Sequence, residues 1–181
     1  VLAFVSRPTF DPNLFVNGIS QKDYGELRDD KRRPLFNRAL QAQYQPGSTI
    51  KPMIGLAALN TGVRNPAQTT WCPGYFRLDG DDHRYRDWKK QGHGHVNLTD
   101  SLAQSCDVYY YSVAKDLTID GIHLMLSQFG MGVASGIDLP GETAGLLPSR
   151  EWKRRAKSLP WFPCETLIAG IGQGFMLASP L

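Results

Sequence analysis

The sequence is poor in features that mark membrane spans, nucleic-acid surfaces and repeats. No apolar stretch is long enough to cross a bilayer, so no transmembrane helix or signal peptide is predicted. The net charge is only +3, which gives no basis for a nucleic-acid partner. With 41% hydrophobic and 20% charged residues among 181, the composition instead predicts a globular segment with one substantial core.

A serine stands three residues before a lysine where a helix is predicted to begin. Pro46-Gly47 interrupts the preceding chain, and a helix is predicted over 48–61. Its apolar residues recur with helical spacing at Ile50, Met53, Ile54, Ala57 and Ala58. Positions i and i+3 share a helix face, so Ser48 and Lys51 can meet, and a partly desolvated lysine can activate a serine. The alternative is an S-x-x-K string that occurs by chance.

A second cluster, Ser105-Cys106-Asp107, lies 57 positions beyond Ser48 and gives an S-x-D string. S-x-x-K together with S-x-N-type motifs characterises penicillin-interacting serine enzymes. Further segments fit the same pattern: Ser6 to Asn13, Phe36 to Ala39, Tyr44 to Pro52, and Gly170 to Gly174 followed by Ala178-Ser179-Pro180. Over essentially its whole length the chain resembles the class B penicillin-binding proteins, which are peptidoglycan DD-transpeptidases. Within them it most resembles the member of the cell-elongation machinery.

The resemblance implies an α/β (α+β) transpeptidase fold, with an antiparallel sheet flanked by helices, over residues 1–181. Ser48 would be the nucleophile, Lys51 the base, Ser105 a proton relay and Asp107 the residue that orients Lys51. The position of Asp107 is usually asparagine in the family, and a carboxylate would hold Lys51 more firmly as an ammonium. The alternatives are a helix cap at Ser105 and a surface turn residue at Asp107. The Ser48 N–H would form part of an oxyanion hole.

The implied substrates are peptidoglycan stem peptides, and β-lactam antibiotics would mimic the acyl donor. Glycosyltransferase and elongation-complex proteins would be partners, on the periplasmic side of the inner membrane, with an anchor upstream. One alternative function is a non-catalytic penicillin-recognising or scaffold module. A β-lactamase would need a carboxylate that activates water, and Glu142 is the candidate, although its Gly141-Glu142-Thr143 context resembles the transpeptidases.

One motif of the family is missing. No K-T-G or K-S-G string occurs, and Lys157-Ser158-Leu159 has leucine in place of the required glycine. The chain ends at Leu181, where the family continues toward the strand with that motif, and it opens abruptly at Val1. We therefore expect a piece of a longer protein, with reduced or no activity of its own.

A long loop over residues 63–97, predicted as an insertion between the two motifs, is rich in metal-binding residue types. Cysteine, histidine and aspartate together suit tetrahedral Zn²⁺. The candidate ligands of a structural Zn²⁺ are Cys72, Asp87, His93 and Cys106, with His95 or His83 as substitutes. In an oxidising compartment a Cys72–Cys106 disulfide is the alternative, and inert thiols are another. No cofactor is needed for acyl transfer itself.

Other local patterns predict the remaining elements. They are a buried strand over 1–5, an exposed polar excursion over 19–35, short strands near 75–78 and 83–86, and helices over 100–104, 108–116, 120–129 and 152–156.

Overall fold

The computed structural model describes residues 3–181, in which helices dominate and strands are short. The α-helices are α1 (Gln21–Asp29), α2 (Arg38–Gln41), α3 (Lys51–Asn60), α4 (Leu98–Ala103), α5 (Asp107–Gln128), α6 (Arg150–Lys157) and α7 (Pro163–Gly170). The strands are β1 (Thr70–Cys72), β2 (Tyr75–Phe76), β3 (Tyr85–Arg86) and β4 (Gly94–Val96). Two 3-10 helices, Pro12–Phe15 and Gly47–Ile50, complete the regular structure. Within this part of the chain, no helix is both long enough and apolar enough to span a membrane.

Helix α5 forms the centre of the core, with α3 and α7 packed against it. Its buried side chains extend around most of the helix, as expected for a central helix covered on several sides. Each large aliphatic side chain buried this way contributes about 1.5–3 kcal/mol. Gly170 lets α7 approach closely, because a Cβ there would lie 2.3 Å from the Ala114 Cβ. The tyrosines at 109, 110 and 111 are all buried.

The helices predicted over 108–116 and 120–129 form one kinked helix in the structure. The kink is at Thr118, whose φ of 60° and ψ of 171° leave the helical region. A β-branched residue rarely adopts this backbone conformation, and its neighbours Leu117 and Ile119 are both buried. The two predicted segments correspond to the two halves of α5.

The loop over 63–97 contains two small antiparallel ladders. Strands β1 and β4 pair with Thr70 opposite Val96, and β2 and β3 pair with Tyr75 opposite Arg86. The predicted strands near 75–78 and 83–86 are confirmed in shortened form. Strands β1 and β4 were not predicted, because three residues are too few to establish an alternating pattern. These ladders bring the two ends of the loop together beside α5.

The structure corrects the predictions at the amino-terminal end. Of the strand predicted over 1–5, residues 1–2 lie outside the described residues and residues 3–5 form no strand. Val5 is exposed rather than buried, so an apolar run alone was insufficient to predict a core strand. The polar excursion over 19–35 is exposed but includes α1, whose N-cap is Ser20. Helix α7 was not predicted, although Pro163 at its first turn is a typical helix-start signal.

Candidate active site

Ser48 lies in a 3-10 turn that leads directly into α3. Gly47 adopts a φ of 57°, which a glycine tolerates without strain, and its N–H donates to the Gly172 carbonyl at 2.8 Å. A Cβ on Gly172 would lie 2.2 Å from the Gly47 oxygen, so only glycine fits there. The glycine-rich segment 170–174 therefore holds the loop that presents Ser48. The Ser48 side chain is exposed, as a nucleophile must be, and its N–H lies where helix geometry leaves donors free.

The second motif lies in the tight connection between α4 and α5. Ser105 has a φ of 52°, a left-handed conformation that is uncommon outside glycine, and it turns the chain between the two helices. The Cys106 N–H donates to the Ser101 carbonyl at 2.9 Å, which closes the turn. Cys106 is the N-cap residue of α5, and Asp107 is its first residue. An acidic residue is favourable at this position because it faces the positive end of the helix dipole.

The two motifs meet through hydrogen bonds. The Ser105 Oγ lies 2.8 Å from the Ser48 Oγ and 3.0 Å from the Lys51 Nζ. Lys51 also donates to the Ser105 carbonyl at 2.9 Å and pairs with the Asp107 Oδ1 at 2.6 Å. The structure thus brings all four predicted catalytic residues together. Lys51 is 1% exposed, and its ammonium lies 5.3 Å from the Tyr110 ring centroid, within cation–π range.

This geometry favours a relay over a direct contact between serine and lysine. An ammonium has three N–H donors, and the three acceptors around Lys51 match them. Ser105 stands between Ser48 and Lys51, and a hydroxyl can accept one proton while it donates another. A proton leaving Ser48 would therefore pass through the Ser105 hydroxyl.

Comparison with known proteins identifies the family of this chain. A family model described as the penicillin binding protein transpeptidase domain matches residues 1–181. The chain belongs to the penicillin-binding protein transpeptidase family. It is 49% identical to the peptidoglycan D,D-transpeptidase MrdA of Acinetobacter baumannii over 181 residues, which is 100% of this chain and 27% of that protein. The chain therefore spans less than a third of the length of this relative.

Solved structures show the same fold. Pseudomonas aeruginosa PBP2, in complex with WCK 5153, superposes with a TM-score of 0.95 and 50% identity, over 97% of this chain and 40% of that chain. Helicobacter pylori PBP2, in complex with MreC, gives a TM-score of 0.93 and 38% identity, over 97% of this chain and 33% of that chain. The expected penicillin-binding transpeptidase fold, with helices and small antiparallel sheets, is confirmed.

The four predicted metal ligands of this family member also lie together. The Cys72 Sγ is 3.6 Å from the Asp87 Oδ2 and 3.5 Å from the His93 Nδ1, which is 3.6 Å from the Asp87 Oδ1. All four ligand atoms, Cys106 Sγ included, lie within 4.8 Å of one another. Bond lengths of about 2.0–2.3 Å to a tetrahedral Zn²⁺ imply ligand separations of about 3.3–3.8 Å. The three separations among Cys72, Asp87 and His93 fall in that range.

The side chains of this cluster are buried, and one of their nitrogens has no partner among the described residues. Burial raises the pKa of the Cys106 thiol, and Cys72 and Cys106 are both free and buried. The His93 Nε2 is buried and has no hydrogen-bond partner among the described residues, while its Nδ1 faces the cluster. His83 and His95 are exposed and take no part in the cluster, so the predicted substitutes are not used.

Glu142, the candidate for β-lactamase chemistry, has another role in this family member. Its carboxylate accepts from the Ser135 N–H at 2.6 Å and the Gly136 N–H at 3.3 Å. These backbone hydrogen bonds lower the pKa of Glu142 below its ordinary value, with the Ser135 amide as the main cause. The carboxylate therefore stabilises its own loop.

Sequence reasoning missed two supports of the site. One is the close contact of Gly172 with Gly47, which joins segments 125 positions apart and leaves no local pattern. The other is Tyr110 under Lys51. A helical pattern alone cannot tell which of the three consecutive tyrosines lies below the lysine.

Proposed function

We propose that the full-length protein containing this chain is a peptidoglycan DD-transpeptidase that works through an acyl-enzyme on Ser48. The observation that carries the proposal is the continuous hydrogen-bonded series Ser48, Ser105, Lys51 and Asp107. The full-length relative at 49% identity, named a peptidoglycan D,D-transpeptidase, supports the reaction class.

The proposed reaction has two acyl transfers. Ser48 Oγ attacks the carbonyl carbon of the donor peptide, and its proton passes through the Ser105 hydroxyl to the leaving amine as the C–N bond breaks. An acceptor amine then attacks the ester carbon, and the bond to Ser48 Oγ breaks. Lys51 acts as the base or as the cation that drives the relay, and Asp107 holds it in position. A β-lactam would acylate Ser48 in the same way and leave a slowly hydrolysed ester.

Covalent labelling tests this proposal. We expect a fluorescent penicillin to label the full-length protein, and Ser48→Ala to abolish the label because no nucleophile remains. Ser127→Ala is the matched control, since this exposed serine in α5 bonds only to the Leu124 carbonyl. Failure of the intact wild-type protein to label would instead favour the non-catalytic scaffold.

We further propose that the full-length protein works with elongation-complex proteins, including a glycosyltransferase, on the periplasmic side of the inner membrane. The related Helicobacter pylori PBP2 was crystallised with MreC, which supports such a partner. Co-purification of MreC from the native host with the full-length protein would be the expected result. No recovery under conditions that preserve the membrane would contradict it.

We also propose a structural Zn²⁺ held by Cys72, Asp87, His93 and Cys106. The donor types, their separations and the buried histidine nitrogen support this assignment. The metal would supply fixed coordination and would stabilise the loop over 63–97 against the start of α5. Asp87 already joins the two, because its Oδ2 accepts from the Val108 N–H at 3.1 Å.

Elemental analysis of the purified protein distinguishes the metal from its alternatives. We expect about one zinc per chain, lost in Cys106→Ser and retained in the control Cys164→Ser, because structural sites use all four ligands. A chelator should lower the Tm of the wild type and leave the Tm of Cys106→Ser unchanged. Absence of metal together with a loss of two free thiols would support the Cys72–Cys106 disulfide instead.

A further inference from the structure

Trp88 is exposed and yet firmly held. The residue is 65% exposed, a large apolar area to leave in water. Its indole N–H nevertheless donates to the Gln104 carbonyl at 3.1 Å, and its ring lies edge-on to His93 at 5.4 Å. The preceding residue, Asp87, is buried and bonded to the start of α5. An aromatic ring that is both fixed and uncovered is typical of binding surfaces.

The place of this ring relates it to the proton relay. Gln104 directly precedes Ser105, so Trp88 is attached to the turn that carries the relay hydroxyl. Two consecutive carbonyls of that turn accept hydrogen bonds from side chains. The Gln104 carbonyl accepts from the Trp88 indole, and the Ser105 carbonyl accepts from Lys51. The indole is therefore fixed to the residue that precedes the relay serine.

The proposed proton relay determines which part of the substrate lies beside Ser105. During acylation Ser105 delivers a proton to the departing amine, so that amine must lie beside Ser105. The acceptor amine later enters the same space, since it attacks the same ester carbon and returns its proton by the same path. Its nitrogen forms a bond to the carbonyl carbon, the bond to Ser48 Oγ breaks, and the proton passes through Ser105 Oγ to Ser48 Oγ.

We propose that Trp88 forms one wall of the acceptor subsite and binds the hydrocarbon stem of an incoming primary amine; this rests on the proposed transpeptidase function. An indole face covers methylene groups and attracts an ammonium, which is the form in which such an acceptor arrives. The ammonium releases one proton to solvent before its neutral nitrogen attacks the ester. Trp88 thereby favours an amine over water in the second acyl transfer.

The test separates the two acyl transfers in the full-length protein. Acylation is followed with a fluorescent penicillin. Partition of the acyl-enzyme is followed with an N-acylated D-alanyl thioester and two acceptors, n-hexylamine and hydroxylamine. Hydroxylamine has no carbon stem and serves as an internal control. The variants are Trp88→Ala, Trp88→Phe and, as a matched exposed tryptophan, Trp71→Ala, whose ring packs on His95 instead.

We expect Trp88→Ala to reduce the ratio of hexylamine transfer to hydrolysis by about tenfold, the loss of one cation–π and stacking contact. The rate of transfer to hydroxylamine should change only by the factor by which acylation changes. Trp88→Phe, which keeps a ring without the N–H donor, should recover most of the hexylamine transfer, and Trp71→Ala should match the wild type.

Two results would overturn the inference. If Trp88→Ala slows acylation and transfer to both acceptors equally, the indole only holds the turn. If Trp88→Ala changes neither acylation nor transfer to the acceptors, the ring has no role in the reaction. A wild-type protein that is never acylated would refute the proposed function itself, and the acceptor subsite would fall with it.

Discussion

Removal of the Asp107 carboxylate gives the sharpest test of how Lys51 is held. Lys51 is 1% exposed, and the Asp107 side chain, 17% exposed, is its only anionic hydrogen-bond partner among residues 3–181. In Asp107→Ala the ammonium stays buried with only the two oxygens of Ser105 to accept from it. Breaking a buried ion pair costs about 3–5 kcal/mol, and the partial exposure of the aspartate favours the lower end.

The assay is thermal unfolding of the purified protein at neutral pH. A loss of about 3 kcal/mol corresponds to a fall in Tm of about 6–12 °C for a domain of this size. Asp107→Asn keeps an acceptor oxygen without the charge and should lose about 1–2 kcal/mol. Its penicillin acylation should still proceed, since the family commonly has an amide at this position.

A double mutant isolates the cause. Lys51→Met replaces the ammonium by an apolar chain of similar length, so in the Asp107→Ala background it should restore much of the lost stability. It would not restore acylation, because the relay needs the nitrogen of Lys51. If Asp107→Ala loses less than about 1 kcal/mol, or Lys51→Met gives no recovery, the buried ion pair is not what stabilises the site.

Two further changes test the loops around the site. Gly172→Ala should slow penicillin acylation of Ser48 by at least about tenfold, because the added Cβ would displace Gly47, and unchanged acylation kinetics would contradict the close contact. Glu142→Gln should be less stable than the wild type at pH 7 in thermal unfolding. Because the pKa of Glu142 is lowered, the difference should persist down to pH 4.5 and disappear only as the pH falls through the folded-state pKa. A difference that disappears above pH 4.5 would show that the bond to the Ser135 amide does not lower that pKa.

The candidate catalytic residues could be predicted because each motif is local, but their mutual geometry could not. The i, i+3 spacing placed Ser48 and Lys51 on one helix face. In the structure Ser48 lies in a 3-10 turn, and its contact with Lys51 runs through Ser105. That contact depends on the left-handed backbone of Ser105, a conformation that sequence patterns rarely reveal in a non-glycine residue.

For the candidate metal ligands, too, the sequence predicts residue types better than it predicts geometry. Residue types gave the four candidates that lie together, yet simple alternation would place His93 and His95 on the same strand face. Strand β4 pairs His95 with Trp71 on the outer face and Gly94 with Cys72, so His95 points away from the cluster. His93 precedes β4, and the φ of 72° at Gly94 interrupts the alternation, so a period of two does not predict that the two histidines lie apart.

The proposed metal cluster and the catalytic ion pair share the first residues of α5. Cys106 contributes its sulfur to the cluster, Asp107 pairs with Lys51, and the Val108 N–H donates to Asp87. Hydrogen bonds hold the residues on both sides of Asp107, since the Cys106 N–H donates to Ser101 and the Val108 N–H to Asp87. We therefore expect a change at the cluster to displace Asp107 and, through Lys51, the Ser105 hydroxyl. The candidate ligands therefore support the geometry of the candidate catalytic residues, and we expect substitutions there to alter acylation although none of them contacts Ser48.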